Sequence, residues 1–218
     1  MKLSLSWIRD YVAIPENMDL KKLAYDLTMS TVEVEDVEYL ADRFEHMVVG
    51  VIEDIQAHPN ADKLRVCKVD IGGEVKEIVC GGINLREGMR VAVSCPGAIV
   101  RWHGEGEPVV IKNSKLRGVE SFGMICASDE IGLGDLFPAS REAEILDLSA
   151  FDVPAGTPLA QALDMDDVLL EIDNKSMTNR PDLWGHYGIA REIGALYDLP
   201  LTQIEPYAPD GQADFKVE

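Results

Sequence analysis

The side chains best suited to hold a polyanion fall in the middle of the chain. Lys63 and Arg65 follow the turn His58-Pro59-Asn60, and Lys115 and Arg117 stand just before Gly118. Their positive charges can pair with phosphates, and Asn84 and Ser121 can donate hydrogen bonds to the same groups. A solvated basic face is the alternative for the same residues. Base stacking has few candidates here, because Trp102 and Phe122 are the only Trp, Tyr or Phe residues between Lys63 and Ala127.

No catalytic arrangement accompanies these cations. The sequence lacks a P-loop, a G-x-S-x-G elbow and an H-E-x-x-H helix. His58 is isolated among turn residues and is expected to be structural; His103, beside Trp102, also lacks a partner. The four cysteines, Cys67, Cys80, Cys95 and Cys126, show no C-x-x-C spacing. They are expected to be reduced and packed in or near a core rather than bound to zinc. The runs Glu33-Val34-Glu35-Asp36 and Asp164-Met165-Asp166-Asp167 read as solvated acids, so no metal site is expected.

These candidates have to be positioned by strands. Cys67, Val69 and Ile71 alternate with Lys68 and Asp70, and Val91, Val93 and Cys95 alternate with Arg90, Ala92 and Ser94. Short apolar runs separated by turn residues continue from Met47 to Leu148. Asn84, with Glu87 three residues on and Gly88 after it, predicts a short capped helix between strands. Strands, one short helix, then more strands predict a five-stranded OB β-barrel, a fold whose loops commonly bind oligonucleotides. Lys63, Arg65, Lys115 and Arg117 fall in or beside two such loops.

Net charge and composition limit the partners. The chain has 218 residues and a net charge of −19, which argues against indiscriminate nucleic-acid binding and against DNA as a partner. The charge is uneven. From Lys63 to Arg117 there are ten basic and six acidic residues, whereas from Asp152 onward there are four basic and thirteen acidic ones. A locally basic barrel in an acidic chain suits a weak, selective phosphate contact. No apolar run approaches the roughly 20 residues of a membrane helix. The N-terminus lacks the apolar core and small-residue site of a signal peptide, so the cytoplasm is the expected compartment.

Several strings carry a family resemblance: His58-Pro59-Asn60-Ala61-Asp62-Lys63-Leu64, Val79-Cys80-Gly81-Gly82-Ile83-Asn84, Val91-Ala92-Val93-Ser94-Cys95-Pro96-Gly97, and Lys115-Leu116-Arg117-Gly118 with Ser121-Phe122-Gly123-Met124-Ile125-Cys126-Ala127. In order and spacing they resemble the tRNA-binding OB domain shared by free-standing tRNA-binding proteins, the methionyl-tRNA synthetase C-terminal extension and the bacterial phenylalanyl-tRNA synthetase β subunit. Ile83 stands where relatives often carry proline, and Phe122 where many carry a charge. The flanks are similar to those of the β subunit alone. Leu27-Thr28-Met29-Ser30-Thr31-Val32-Glu33-Val34-Glu35 resembles its signature, with Thr31 in place of a common glycine. Asn179-Arg180-Pro181-Asp182 and Gly188-Ile189-Ala190-Arg191-Glu192 resemble the β subunit's segment C-terminal to its barrel, with Met177-Thr178 replacing the usual Thr-Pro.

The β-subunit resemblance implies an N-terminal piece of an enzyme that joins phenylalanine to its tRNA, using ATP and Mg²⁺, in an assembly of two α and two β subunits. It places aminoacylation in the α subunit, and the editing domain and magnesium-linked region beyond residue 218. This piece is then an inactive RNA-binding and structural module with no cofactor and no catalytic residue of its own. Two alternatives remain open: a free-standing tRNA-binding module, and a protein-interaction domain with incidental RNA contact.

The material outside the barrel has its own pattern. Ser6 can cap a helix carrying Trp7, Ile8, Tyr11 and Val12, and Asp19 a second with Leu20, Leu23, Ala24 and Leu27 on one face. Val32 to Val37 predicts a strand. After the linker-like Phe151 to Gly156, Thr157-Pro158 predicts a helix start, Val168, Leu170 and Ile172 a strand, and Asp182 to about Leu196 a helix containing Gly185, Gly188 and Gly194. Arg180 and Asp182 are expected to form a cap and local ion pair; contact with RNA or another subunit is the alternative. Neither flank can build a core alone, since isolated domains below about 40 residues seldom fold unaided. The expected organisation is therefore α+β. Residues 1–40 and 152–200 form a split domain, 41–151 the inserted OB barrel, and 201–218 a linker or tail.

Overall fold

A computed structural model of the chain describes residues 1–204. The elements begin with β1 (Lys2–Ser4), α1 (Leu5–Arg9), α2 (Leu20–Ser30) and β2 (Val34–Tyr39). Next come β3 (Met47–Ala57), β4 (Arg65–Asp70), β5 (Val75–Cys80) and β6 (Arg90–Ser94). Two small hairpins, β7 (Ile99–Val100) with β8 (Val109–Val110) and β9 (Ser114–Leu116) with β10 (Val119–Ser121), precede β11 (Met124–Ile125). The series ends with α3 (Leu159–Ala162), β12 (Val168–Ile172) and α4 (His186–Tyr197). Met1–Glu38 and the described residues from Asp167 onward make one compact unit, and Tyr39–Asp166 another. Most of the expected tail, 205–218, lies outside the described residues. Before it, Leu201 bridges Val12 and Thr202 N–H donates to Tyr11 O.

The Tyr39–Asp166 unit is built on an antiparallel sheet in the order β11-β6-β3-β4-β5, the expected five-stranded OB-like barrel. The period of two is kept: Cys67, Val69, Val91 and Val93 are all fully buried. β3 is apolar on both faces because both are covered. Met47 and Val49 enter one core cluster, and Ile52 enters the other with Cys67 and Val69. At Gly50 a Cβ would lie 2.6 Å from both Val69 Cγ1 and Val93 Cγ2, so the neighbouring strands' side chains close over a missing one. Cys67, Cys80 and Cys126 are buried and unbridged, and burial pushes the Cys126 thiol up to about 12.

The barrel has a seam. β5 and β11 are the sheet's two edges, and the residues just before β11 join them. Phe122 N–H donates to Glu77 O (2.8 Å), and Val79 N–H donates to the Ser121 hydroxyl (3.0 Å), which in turn donates to Gly123 O (3.3 Å). Gly123 has a φ of 69°, and a Cβ there would stand 2.3 Å from Ser94 O. Only glycine allows this approach.

Two local expectations differ from the structure. No helix forms at Asn84. Its side chain instead exchanges two hydrogen bonds with the Ile145 backbone, donating to the carbonyl (2.8 Å) and accepting from the N–H (2.9 Å). That long-range partner outcompetes a local cap. Gly88 is left-handed as expected (φ 76°) but serves a turn. Residues 152–166, expected with the outer halves, belong to the barrel unit: Val49 N–H donates to Thr157 O, Gly156 N–H donates to Val49 O, and Leu159 is fully buried.

In the outer unit β12 lies between β1 and β2, and α1, α2 and α4 bury Leu5, Ile8, Leu23, Leu27, Ile189 and Ile193 with the sheet's Leu170 and Ile172. Asp19 caps α2 as expected. The α1 cap is Ser4 rather than Ser6: its hydroxyl accepts from Trp7 N–H (3.0 Å). Asp167 holds this helix start, accepting from the Ser4 hydroxyl (2.5 Å) and from the Ser6 N–H and hydroxyl (2.9 Å each). A carboxylate at a helix N-terminus also answers the helix dipole. Arg180 forms the expected ion pair with Asp182, two bonds of 2.9 Å, and reaches Glu192 (2.8 Å). Glu192 accepts from the hydroxyl of Thr31, the C-cap of α2 (3.0 Å). The last helix starts later than expected. Pro181–Leu183 forms a 3₁₀ turn, and Gly185 precedes α4 at φ 134°.

The helical glycines serve close packing, and this yields a paired test. A Cβ on Gly188 would lie 2.0 Å from Asp182 O, a backbone atom with nowhere to go. Gly188→Ala is expected to destabilise the outer unit by about 1–3 kcal/mol or more. On Gly194 the nearest atoms are Leu201 Cδ2 at 3.1 Å and Leu199 O at 3.2 Å. There the helix-propensity gain of about 1 kcal/mol offsets the crowding, and Gly194→Ala should be near neutral. Chemical unfolding of both variants checks the contrast.

Asp167 yields a pH test. Burial pushes its carboxyl up, but hydrogen bonds from Ser4, Ser6 and the Val168 N–H outweigh this and hold it below the usual carboxylate range. A depressed folded value contributes stability that is complete above the unfolded value and is lost as pH falls through the folded one. The melting-temperature gap between the natural chain and Asp167→Asn should therefore shrink on acidification below the ordinary carboxylate range. A gap independent of pH would refute the assignment.

Candidate nucleic-acid interface

Lys63 lies in the β3–β4 loop and Arg65 at the start of β4, while Lys115 lies in β9 and Arg117 in the β9–β10 turn. That turn is a two-residue connection, since Leu116 pairs with Val119. Arg117 (φ 45°) and Gly118 (φ 98°) are both left-handed, the geometry a tight hairpin of this twist requires. The Arg65 guanidinium donates to the carbonyls of Asp62 and Leu64 (3.0 Å each), which fixes its own loop.

The two loops are tied together by neutral groups. His58 is 6% exposed. Asn60 N–H donates to its Nδ1 (3.1 Å), so the proton sits on Nε2, which donates to Leu116 O (3.1 Å). The Asn60 side-chain amide donates to Arg117 O (2.9 Å). His58 and Asn60 thus bond the two successive carbonyls of Leu116 and Arg117, and bring Lys63 and Arg65 to the same region as Lys115 and Arg117. The structural role expected of His58 is this cross-link. The sequence alone assigns Asn60 no role; its signal is its place in a turn beside the first pair of cations.

Not every candidate joins this group. Ser121 is 2% exposed and spends its hydroxyl on the barrel seam. Asn84 is committed to Ile145. Both are structural residues of the barrel. The cations also differ in pairing, and Arg101, Lys112 and Arg141 are exposed without a carboxylate partner among the described residues. Lys68, Lys76, Arg86 and Arg90 each have a carboxylate partner, on Asp54, Glu74, Asp147 and Asp152 respectively. Among the described residues Lys63, Arg65, Lys115 and Arg117 are exposed and have none, so their charges are available to an incoming anion. Phe122 packs under the Lys76 ammonium, 4.9 Å from its ring centroid.

Among the described residues no helix is long and apolar enough to cross a membrane. Nor does any group of three or more His, Cys, Asp or Glu side chains among the described residues converge as a metal site.

The chain is 38% identical over 203 residues to the phenylalanine–tRNA ligase β subunit of Oceanobacillus iheyensis, covering 92% of this chain and 24% of that one. It is 40% identical over 207 residues to the β subunit of Francisella tularensis, covering 94% and 24%. For the β subunit of Prochlorococcus marinus the identity is 43% over 209 residues, with 94% and 24% covered. The chain thus spans about a quarter of the length of these relatives. A family model described as a putative tRNA binding domain matches residues 47–157, the stretch that holds all five barrel strands and both cationic loops, and the chain belongs to that family.

Proposed function

We propose that this chain is a non-catalytic RNA-binding and structural module of a phenylalanine–tRNA ligase β subunit, and that its barrel contacts tRNA through the two basic loops. The carrying observation is the pair of hydrogen bonds from His58 and Asn60 to the hairpin carbonyls, which holds four unpaired cations in one region. Pre-organised cations lose little freedom on meeting a phosphate backbone, so they bind better than the same charges on independent loops. The outer unit, with its sheet and three helices, is the structural part. A free-standing tRNA-binding protein fits less well, because the similarity to β subunits covers 92% or more of the chain in the relatives compared.

On this reading the whole ligase attaches phenylalanine to tRNA with ATP and Mg²⁺, assembles with α subunits as two α and two β, and works in the cytoplasm. On the same reading, catalysis lies outside this chain.

Two measurements test the tRNA contact. Each neutralised phosphate contributes a slope of about −0.7 to −0.9 to the dependence of log affinity on log salt. Replacing both Lys115 and Arg117 by Ala should flatten that slope by about one to two units; an unchanged slope would move the contact elsewhere. Asn60→Ala removes no charge but frees the hairpin. It should lower affinity about fivefold, corresponding to one hydrogen bond of about 1 kcal/mol, with the slope unaltered. A flattened slope in Asn60→Ala would show that Asn60 acts otherwise than by aligning the loops.

A further inference from the structure

Beside the basic loops the barrel unit has an apolar groove of about 950 Å³. Its floor includes Val79 of β5, Met124 and Ile125 of β11, and Ile111. It therefore opens along the seam where the two edge strands of the sheet face each other. Large apolar side chains stand half exposed around it: Trp102 at 50%, Val110 at 49% and Leu116 at 41%. A concave apolar patch of this kind marks a binding surface more often than a bare one.

The polar groups of the lining decide what can enter. Asp129, Glu130, Glu142 and Glu144 contribute four carboxylates, against the two cations Lys112 and Arg141. The 3₁₀ turn Trp102–Gly104 rests on the 3₁₀ turn Asp129–Ile131. Arg101 N–H donates to Glu130 O (2.8 Å), and a Cβ on Gly104 would lie 3.0 Å from Asp129 Cβ. The turn that carries the exposed indole thus packs on the turn that carries these two carboxylates, and all three side chains line the groove. One Glu130 oxygen accepts from Ala127 N–H (2.8 Å), and burial raises the carboxyl above its ordinary value. An arriving positive charge would relieve that cost, whereas a phosphate would add to it.

We propose that this groove docks a protein segment carrying an apolar side chain next to a lysine or arginine. The apolar group lies on Val110, Leu116 and Met124, and the cation sits against the Trp102 face and the Glu130 carboxylate. An indole face attracts a cation by its quadrupole, and adjacent carboxylates reinforce it. The excess of carboxylates selects against RNA, although Leu64 and Leu116, which border the groove, adjoin the cationic loops. The barrel unit then offers two surfaces of opposite character, one for phosphates and one for a basic peptide.

The test uses the full chain and a displayed library of random peptides, with Trp102→Ala for counter-selection. Trp102 is half exposed, and circular dichroism confirms that the variant keeps its fold. Enriched sequences should pair apolar residues with Lys or Arg. A synthetic copy of an enriched peptide should shift the amide resonances of Val110, Met124 and Ile125. Its affinity should fall about five- to tenfold in Trp102→Ala and in Glu130→Gln, which keeps an acceptor for Ala127 N–H. The proposal is overturned by a lack of enrichment over the counter-selection, by enrichment of acidic peptides, or by unchanged affinity in both variants. It is equally overturned if an oligouridylate shifts those resonances and displaces the peptide, for the groove would then be an RNA site.

Discussion

Five antiparallel strands make a barrel only if the two outermost find each other, and here they do so without a regular ladder. β5 and β11 leave edge N–H and C=O groups that would be costly if buried without partners. Ser121 supplies a hydroxyl in place of a strand, Phe122 supplies one backbone N–H, and Gly123 removes the Cβ that would collide with Ser94 O. Beside that closure the apolar side chains of Trp102, Val110 and Leu116 stay half exposed around the groove, which follows the seam.

A similar economy of small polar links organises the outer unit. Its two chain segments each bring too little apolar surface to fold alone, and their buried side chains form one cluster from Leu3 to Ile193. Residues distant in sequence are then aligned by directional contacts: Asp167 on the start of α1, and Arg180 with Glu192 on Thr31 at the end of α2. Burial supplies most of the free energy, and these bonds fix orientation.

Much of this was legible in the sequence because alternation and turn chemistry are local. The period of two in Cys67-Lys68-Val69 and Arg90-Val91-Ala92-Val93 marked barrel strands with one buried face. Asp19 announced its helix, and the residue order around the cationic loops announced the fold. What failed was decided at long range. Asn84 has every local feature of a helix cap, yet Ile145, sixty-one residues away, claims its amide. Ser121 looks like a free hydroxyl until Val79 is known to lie opposite. Phe151 to Gly156 has the composition of a linker, but Val49 exchanges backbone hydrogen bonds with Gly156 and Thr157. Polar side chains were thus the least legible, since their role depends on which distant backbone group reaches them first.

The same distinction bears on how a chain of net charge −19 can hold an anionic partner. Exposed charges are screened within about 8 Å at physiological salt, so the total matters less than the cations nearest the contact. In the barrel the cations differ in pairing. Arg86 and Arg90 are neutralised by Asp147 and Asp152, whereas Lys63, Arg65, Lys115 and Arg117 are exposed without carboxylate partners among the described residues. The groove that Leu64 and Leu116 border is lined by four carboxylates against two cations, which makes it a poor host for a phosphate. Four cations on two neighbouring loops, beside a groove richer in carboxylates, favour a short, well-placed contact over sliding along a backbone. An auxiliary domain needs such a contact if it is to touch one RNA without retaining every other.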